Sequence, residues 1–185
     1  MRRQMPITQS FGEATFVLGM LDASFFATGL FREAFGQPFP QPPSSAGTSL
    51  AAPTDTWYQY VAFYKWSETA IEPVAFVNLI RHGNVYLEGG LCARRNFYRR
   101  LPPEHWRECK ARGGIVQVLL EHAMRERNDA DAWFGHTSIN PAFLVIERLG
   151  FEVTRHQYLK VRWFRDLPDA RKREIEDAID AIGAF

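Results

Sequence analysis

"NPAFLVIERLGFE", residues 140–152, has the form of a short helix running into a strand. Asn140 can accept a hydrogen bond from a first-turn N–H, and Pro141 suits the first helical position, where its missing N–H costs nothing. Gly150 tolerates the left-handed backbone that closes a helix, so the chain is expected to re-emerge extended at Phe151. Before this unit, "DAWFGHTSI" (131–139) has strand composition. After it, "FEVTRHQYLKVRWF" (151–164) is expected as one long strand.

Further upstream, "GGIVQVLLEHAMRER" (113–127) places Ile115, Val118, Leu119 and Ala123 on one face of a helix. "EPVAFVNLIRHGNVYLEGGLCARR" (72–95) predicts two strands joined at Gly83-Asn84, a two-residue turn that accepts positive φ. "WYQYVAFYKW" (57–66) is a further strand. Met5–Gln9 is expected as a short first strand. Ser10 with Glu13 forms a capping-box pattern, so two short helices are expected over 11–35, the second capped by Asp22. "GQPFPQPPSSAGTSLAAPTDT" (36–56) has loop composition. "NFYRRLPPEHWRECKAR" (96–112) is a basic insertion, helical after Pro103. The end, 166–185, predicts a charged helix with an Ile175, Ile179, Ile182 stripe, which either packs back on the sheet or docks on another chain.

The chain has 185 residues, 46% of them hydrophobic, with net charge +1. This suits one core and provides no global field towards nucleic acid or membrane. Cys92 and Cys109 form neither a disulfide framework nor a zinc pattern, and His105 with Cys109 makes only half of a metal site, so no metal is assigned. "MRRQMPITQSFGEA" lacks an apolar core before a cleavage site, and no run is long enough to span a bilayer. A soluble cytoplasmic protein, or one assembled into a larger particle, is expected.

The order of elements, with "VYLEGGLCARRNFYRR" followed by "ARGGIVQVLL" and then "NPAFLVIERLGFE", resembles the GNAT acetyltransferase superfamily over residues 57–164. That resemblance implies the mixed α/β (α+β) class. One GNAT-like domain would span residues 1–164 with a mixed central sheet flanked by helices. An extra helix at 165–185 would stand where the family has its last strand. It also implies acetyl-CoA as cosubstrate. Its pyrophosphate would rest on the free N–H groups and positive dipole end of the helix opening at Arg112, Gly113, Gly114 and Ile115. Gly89-Gly90 would form the bulge at which the central strand leaves its neighbour.

The pattern Q/R-x-x-G-x-G/A of that family is met incompletely. Ala111 stands at its first position and Val116 at its last small position. About ten extra residues precede the glycines. The helix-start asparagine falls at Asn140 rather than at Ile139. Ile146 occupies the place of the tyrosine that protonates the leaving thiolate. Ala142, Gly150 and Phe151, which serve packing and helix termination, fit.

Glu88 is the candidate general base, with an ion pair to a nearby arginine as the alternative. Tyr86 and Tyr98 are candidates for the missing acid. Arg94, Arg95, Arg99, Arg100 and Arg107 form a basic stretch for coenzyme phosphates, for an acidic protein surface, or for solvent alone; nucleic acid is not indicated.

Two functions follow. The departures favour a non-catalytic GNAT-fold part of an assembly. The order "YLEGGLCARRNFYRRLPPEHW" is similar to GNAT-like proteins of tailed phages and prophages, which implies a virion component of the head-to-tail connector type, with protein partners or copies of itself. The alternative is an acetyl-CoA-dependent N-acetyltransferase acting on an amine, with Glu88 or a water as base.

Overall fold

A computed structural model describes residues 8–10, 14–39, 56–137, 145–183 and 185. The elements are β1 (Thr8–Ser10), β2 (Thr15–Met20), α1 (Ser24–Phe35), β3 (Thr56–Lys65), β4 (Ile71–His82), β5 (Val85–Ala93), α2 (Phe97–Arg100), α3 (Pro103–Ala111) and α4 (Ile115–Glu126). β6 (Ala132–His136), a helical turn α5 over 145–148, β7 (Glu152–Val153), β8 (Leu159–Trp163) and α6 (Asp169–Asp180) follow. Two compact units share the chain: one spans 1–41, 58–78 and 90–126, the other 42–57, 79–89 and 127–185.

In the first unit, β1 and β2 pair antiparallel, as do β2 and β3, from Thr15↔Tyr64 to Met20↔Gln59. Residues 15–20 are therefore a strand, where a helix was expected. "TFVLGM" is largely apolar and carries neither period clearly; Thr15, Phe16 and Val17 favour the pleated surface that β3 supplies. Ser10 lies in β1 rather than at a helix start, and Glu13 is outside the described residues. The one helix of this region, α1, opens where the Gln59 side chain accepts the Ala23 N–H (2.5 Å) and Asp22 accepts the Ser24 N–H (2.8 Å). It closes at Gly36, whose N–H donates to the Arg32 carbonyl at φ 75°. Phe31 packs edge-on against Phe39 and Phe76.

Asn78, on β4, is fully buried, and neither of its amide atoms has a partner. An unpartnered buried amide costs about 1–3 kcal/mol on protein scales. Asn78→Leu is thus expected to raise stability by about 1–2 kcal/mol in urea denaturation; a loss of stability would mean that the amide is satisfied by water.

In the second unit, β5 and β6 run parallel over four residue pairs, Val85↔Ala132 to Glu88↔Gly135. β8 is antiparallel to β6, and β7 to β8. The single strand expected over 151–164 is thus two. Thr154 causes the break: its hydroxyl donates to the Leu159 carbonyl (3.0 Å) and accepts the His156 N–H (3.1 Å), closing a turn. Ile175 and Ile179 of α6 pack with Ile80, Leu87, Phe134 and Val161, and Ile182 lies at the edge of that cluster. The stripe serves this unit's own core.

Candidate active site

β5 holds Glu88 at the last position paired with β6, and the residue opposite it is a glycine. A β-carbon on Gly135 would lie 3.9 Å from the Glu88 carboxylate oxygen, so no side chain on β6 covers that approach. Glu88 is half-buried and not free of partners. Two residues on, Gly90 takes φ 137°, and a β-carbon there would meet Phe31 at 2.9 Å. Of the Gly89-Gly90 pair expected to form a bulge, Gly90 is the residue at which an L side chain would be strained.

α4 opens after two left-handed glycines, Gly113 (φ 81°) and Gly114 (φ 102°). Arg112, beside them, is half-buried. The amides here have internal acceptors. Gly113 donates to the Lys110 carbonyl (3.0 Å), Gly114 to Cys109 (2.9 Å), and Ile115 to the Tyr98 hydroxyl (3.0 Å). Burial pushes Tyr98 up to about 12 and the fully buried Cys109 thiol to about 12. Cys109 is consequently a packed thiol, not a reactive one. The sequence offered Tyr98 as an acid; its capping of a helix 17 residues away had no local signal.

The other candidate acid, Tyr86, is engaged at the far end of β5. Its hydroxyl donates to Asp129 (2.8 Å) and accepts from Arg81 (3.0 Å). Burial, and then the Asp129 carboxylate, push it up to about 12. Tyr86, Tyr98 and Cys109 all hold their protons in the fold above the pH at which the unfolded chain releases them. Their contribution is complete below about pH 9 and is lost as pH rises towards 12. Urea midpoints are expected to fall across that window, and Cys109→Ala should flatten the early part of the decline.

Ile146 is 4% exposed. The Phe151 N–H donates to the Ile146 carbonyl (3.1 Å) and the Gly150 N–H to Glu147 (2.9 Å), with Gly150 at φ 78°. This is a Schellman closure, in which apolar residues at the Ile146 and Phe151 positions are favoured. Ile139, Asn140 and Ala142 lie outside the described residues.

The basic stretch divides. Arg94 pairs with Glu33 (3.1 Å) and Glu72 (3.2 Å); Arg100 pairs with Glu72 (2.9 Å) and stacks on Trp66 (4.3 Å). Burial raises the Glu72 carboxyl, but bonds from Arg100 and Trp66 and the nearby charge of Arg94 outweigh it and hold the group below the usual range. Arg95, Arg99 and Arg107 are exposed, with Arg107 donating to its own helix at Pro103. His105 and Cys109 do not converge: His105 Nδ1 lies 2.6 Å from the Tyr64 hydroxyl, whereas Cys109 lies beneath the α4 start. Among the described residues no three His, Cys, Asp or Glu gather around a point.

The parallel β5–β6 pair and the antiparallel strands beside it in the second unit form a pattern that can be compared with solved structures. The ribosomal-protein alanine N-acetyltransferase of Escherichia coli matches with a TM-score of 0.51 at 13% identity, over 84% of this chain and 97% of that one. The chain has the GNAT fold. Two further GNAT-like matches are the Escherichia coli protein YhhK bound to coenzyme A (TM-score 0.49, 16% identity, 86% of this chain and 99% of that one) and a cAMP-binding acyltransferase of Mycobacterium smegmatis (0.48, 12%, 91% and 51%). No protein-family model matches the sequence, and no curated protein matches it. Among the described residues no helix is long and apolar enough to cross a membrane.

Gly113 and Gly114 carry no side chain of their own at the α4 start. Two side chains lie over it: the Gln117 amide, whose oxygen would collide with a β-carbon on Gly113, and the Tyr98 hydroxyl at Ile115.

Proposed function

We propose that this chain is an acetyl-CoA-dependent N-acetyltransferase acting on an amine. The observation that carries the reading is the position of Glu88: it sits on the last β5–β6 pair, facing a glycine, two residues before Gly90. The similar solved structures are acetyltransferases or bind coenzyme A, which supports this reading over the assembly part that the sequence departures favoured. Acetyl-CoA would supply the acetyl group as a thioester, the C–N bond to the amine forming as the C–S bond breaks and CoA leaves as its thiol. Glu88, directly or through a water, takes the proton that the attacking nitrogen releases. The loop Arg112, Gly113, Gly114 and Ile115 would receive the coenzyme phosphates, with the Ile115 N–H and the Arg112 guanidinium as donors, since the Gly113 and Gly114 N–H groups are given to backbone carbonyls. Tyr86 is not spare as an acid, since its proton is given to Asp129.

The second reading is a non-catalytic part of an assembly, such as a tailed-phage virion, with protein partners or copies of itself. Ile146 favours it, because the helix end uses an apolar residue where the family has its acid. Leu21 and Phe25, 91% and 86% exposed at the head of α1, and the exposed Arg95, Arg99 and Arg107 would be its contact residues.

Calorimetric titration with acetyl-CoA and CoA separates the two. Micromolar binding, abolished by Arg112→Glu with Gly114→Asp, is expected. Absence of heat from a folded chain would overturn the coenzyme site and leave the assembly reading.

A further inference from the structure

We infer that Tyr98 is a built-in stopper on α4: its hydroxyl holds the Ile115 N–H that a phosphate-bearing coenzyme has to claim, and coenzyme binding turns it out. The inference rests on the coenzyme reading above. It adds a regulatory contact from the insertion between β5 and α4.

Three observations carry it. The hydroxyl oxygen lies 3.0 Å from the Ile115 nitrogen, in the place of an external anion at a helix start. Gly114 makes that approach possible: a β-carbon there would be 2.9 Å from the same oxygen, so the glycine that admits the hydroxyl would also admit a phosphate oxygen. Finally, Tyr98 can move alone. Its neighbours anchor α2, with Phe97 fully buried against Tyr64 and Trp66, and Arg100 held by Glu72 and Trp66. Tyr98 itself is 36% exposed, so solvent is open on one side of the ring. Withdrawal is a rotation of one side chain, with no movement of the helix that bears it.

A neutral hydroxyl is a weaker acceptor than an anionic phosphate at the positive end of a helix, so the coenzyme wins when present. When absent, the tyrosine closes the site and satisfies the amide. The apparent affinity is lowered by the fraction of molecules in the closed form. One neutral hydrogen bond corresponds to about a fivefold reduction.

The test is calorimetric titration of CoA into the wild-type chain and into Tyr98→Phe, which keeps the ring and removes the acceptor. The Ile115 amide resonance is followed in the wild type. About fivefold tighter CoA binding by the variant is expected, with the wild-type Ile115 amide shifting as CoA is added. Equal affinity for the two chains would overturn the stopper and leave the coenzyme site standing. No heat from either folded chain would overturn the coenzyme reading and the stopper with it. Should Tyr98→Phe not fold, the wild type alone decides: an Ile115 amide that stays in place at saturating CoA excludes the displacement.

Discussion

Ile179→Ala is expected to destabilise the protein by about 3 kcal/mol, within the range for a large aliphatic removed from a core. Ile179 is 3% exposed and packs, with Ile175, against β-strand residues of its own unit. Truncation removes buried methylene groups and leaves a space that the sheet cannot fill by moving. The polar contacts of the helix cannot make up such a loss. Arg155 and His156 reach Asp177, and His156 Nδ1 lies 3.1 Å from Asp180, but all these groups are partly exposed. Glu174→Ala, on the outer face, is the control; its pair with Arg171 is solvent-exposed, and a change below about 0.5 kcal/mol is expected. Urea denaturation of the three chains measures both effects. If α6 were instead a docking element for a neighbour, Ile179→Ala would leave the stability of the free chain unchanged and weaken only an oligomer.

The apolar stripe of α6 was legible because its period, three and four residues, has one meaning on a charged background. The same holds for the hairpin at Gly83, which takes φ 57°, and for the buried face of α4. "ATFVLGM" (14–20) was not legible in the same way: largely apolar and without a clear period, it fits a strand or a helix until β3 offers its edge, whereas the helix expected after Asp22 is α1. Thr154 gave no warning that its hydroxyl would bond across a turn. At the candidate site, the glycines and Glu88 were visible as residue types at a spacing. What they face was not visible: Gly135 opposite Glu88 is set by strand register, and Tyr98 over Ile115 by a contact across 17 positions. Ile146 was legible as a missing tyrosine, but its service to the helix end appears only with the hydrogen bonds at Gly150 and Phe151.

Glu88→Gln is expected to lower the turnover of acetyl transfer by about 10²- to 10⁴-fold, the usual contribution of a positioned general base. The amide matches the carboxylate in shape, so the strand and its pairing with β6 stay in place, but it cannot take up the proton of the attacking amine. CoA affinity should stay within about twofold, because the backbone of α4, not this side chain, is assigned to the phosphates. A fall in turnover with unchanged coenzyme affinity is the mark of a group that acts during the reaction. Glu88→Asp should retain part of the activity, since a carboxylate one methylene shorter can still reach through a water. The competing role is an ion pair within the fold. That role predicts the opposite split: Glu88→Gln would lower the urea midpoint, while turnover per folded molecule would match the wild type. Steady-state rates with an amine acceptor, corrected for the folded fraction, therefore decide whether the last paired residue of β5 is a base or a strut.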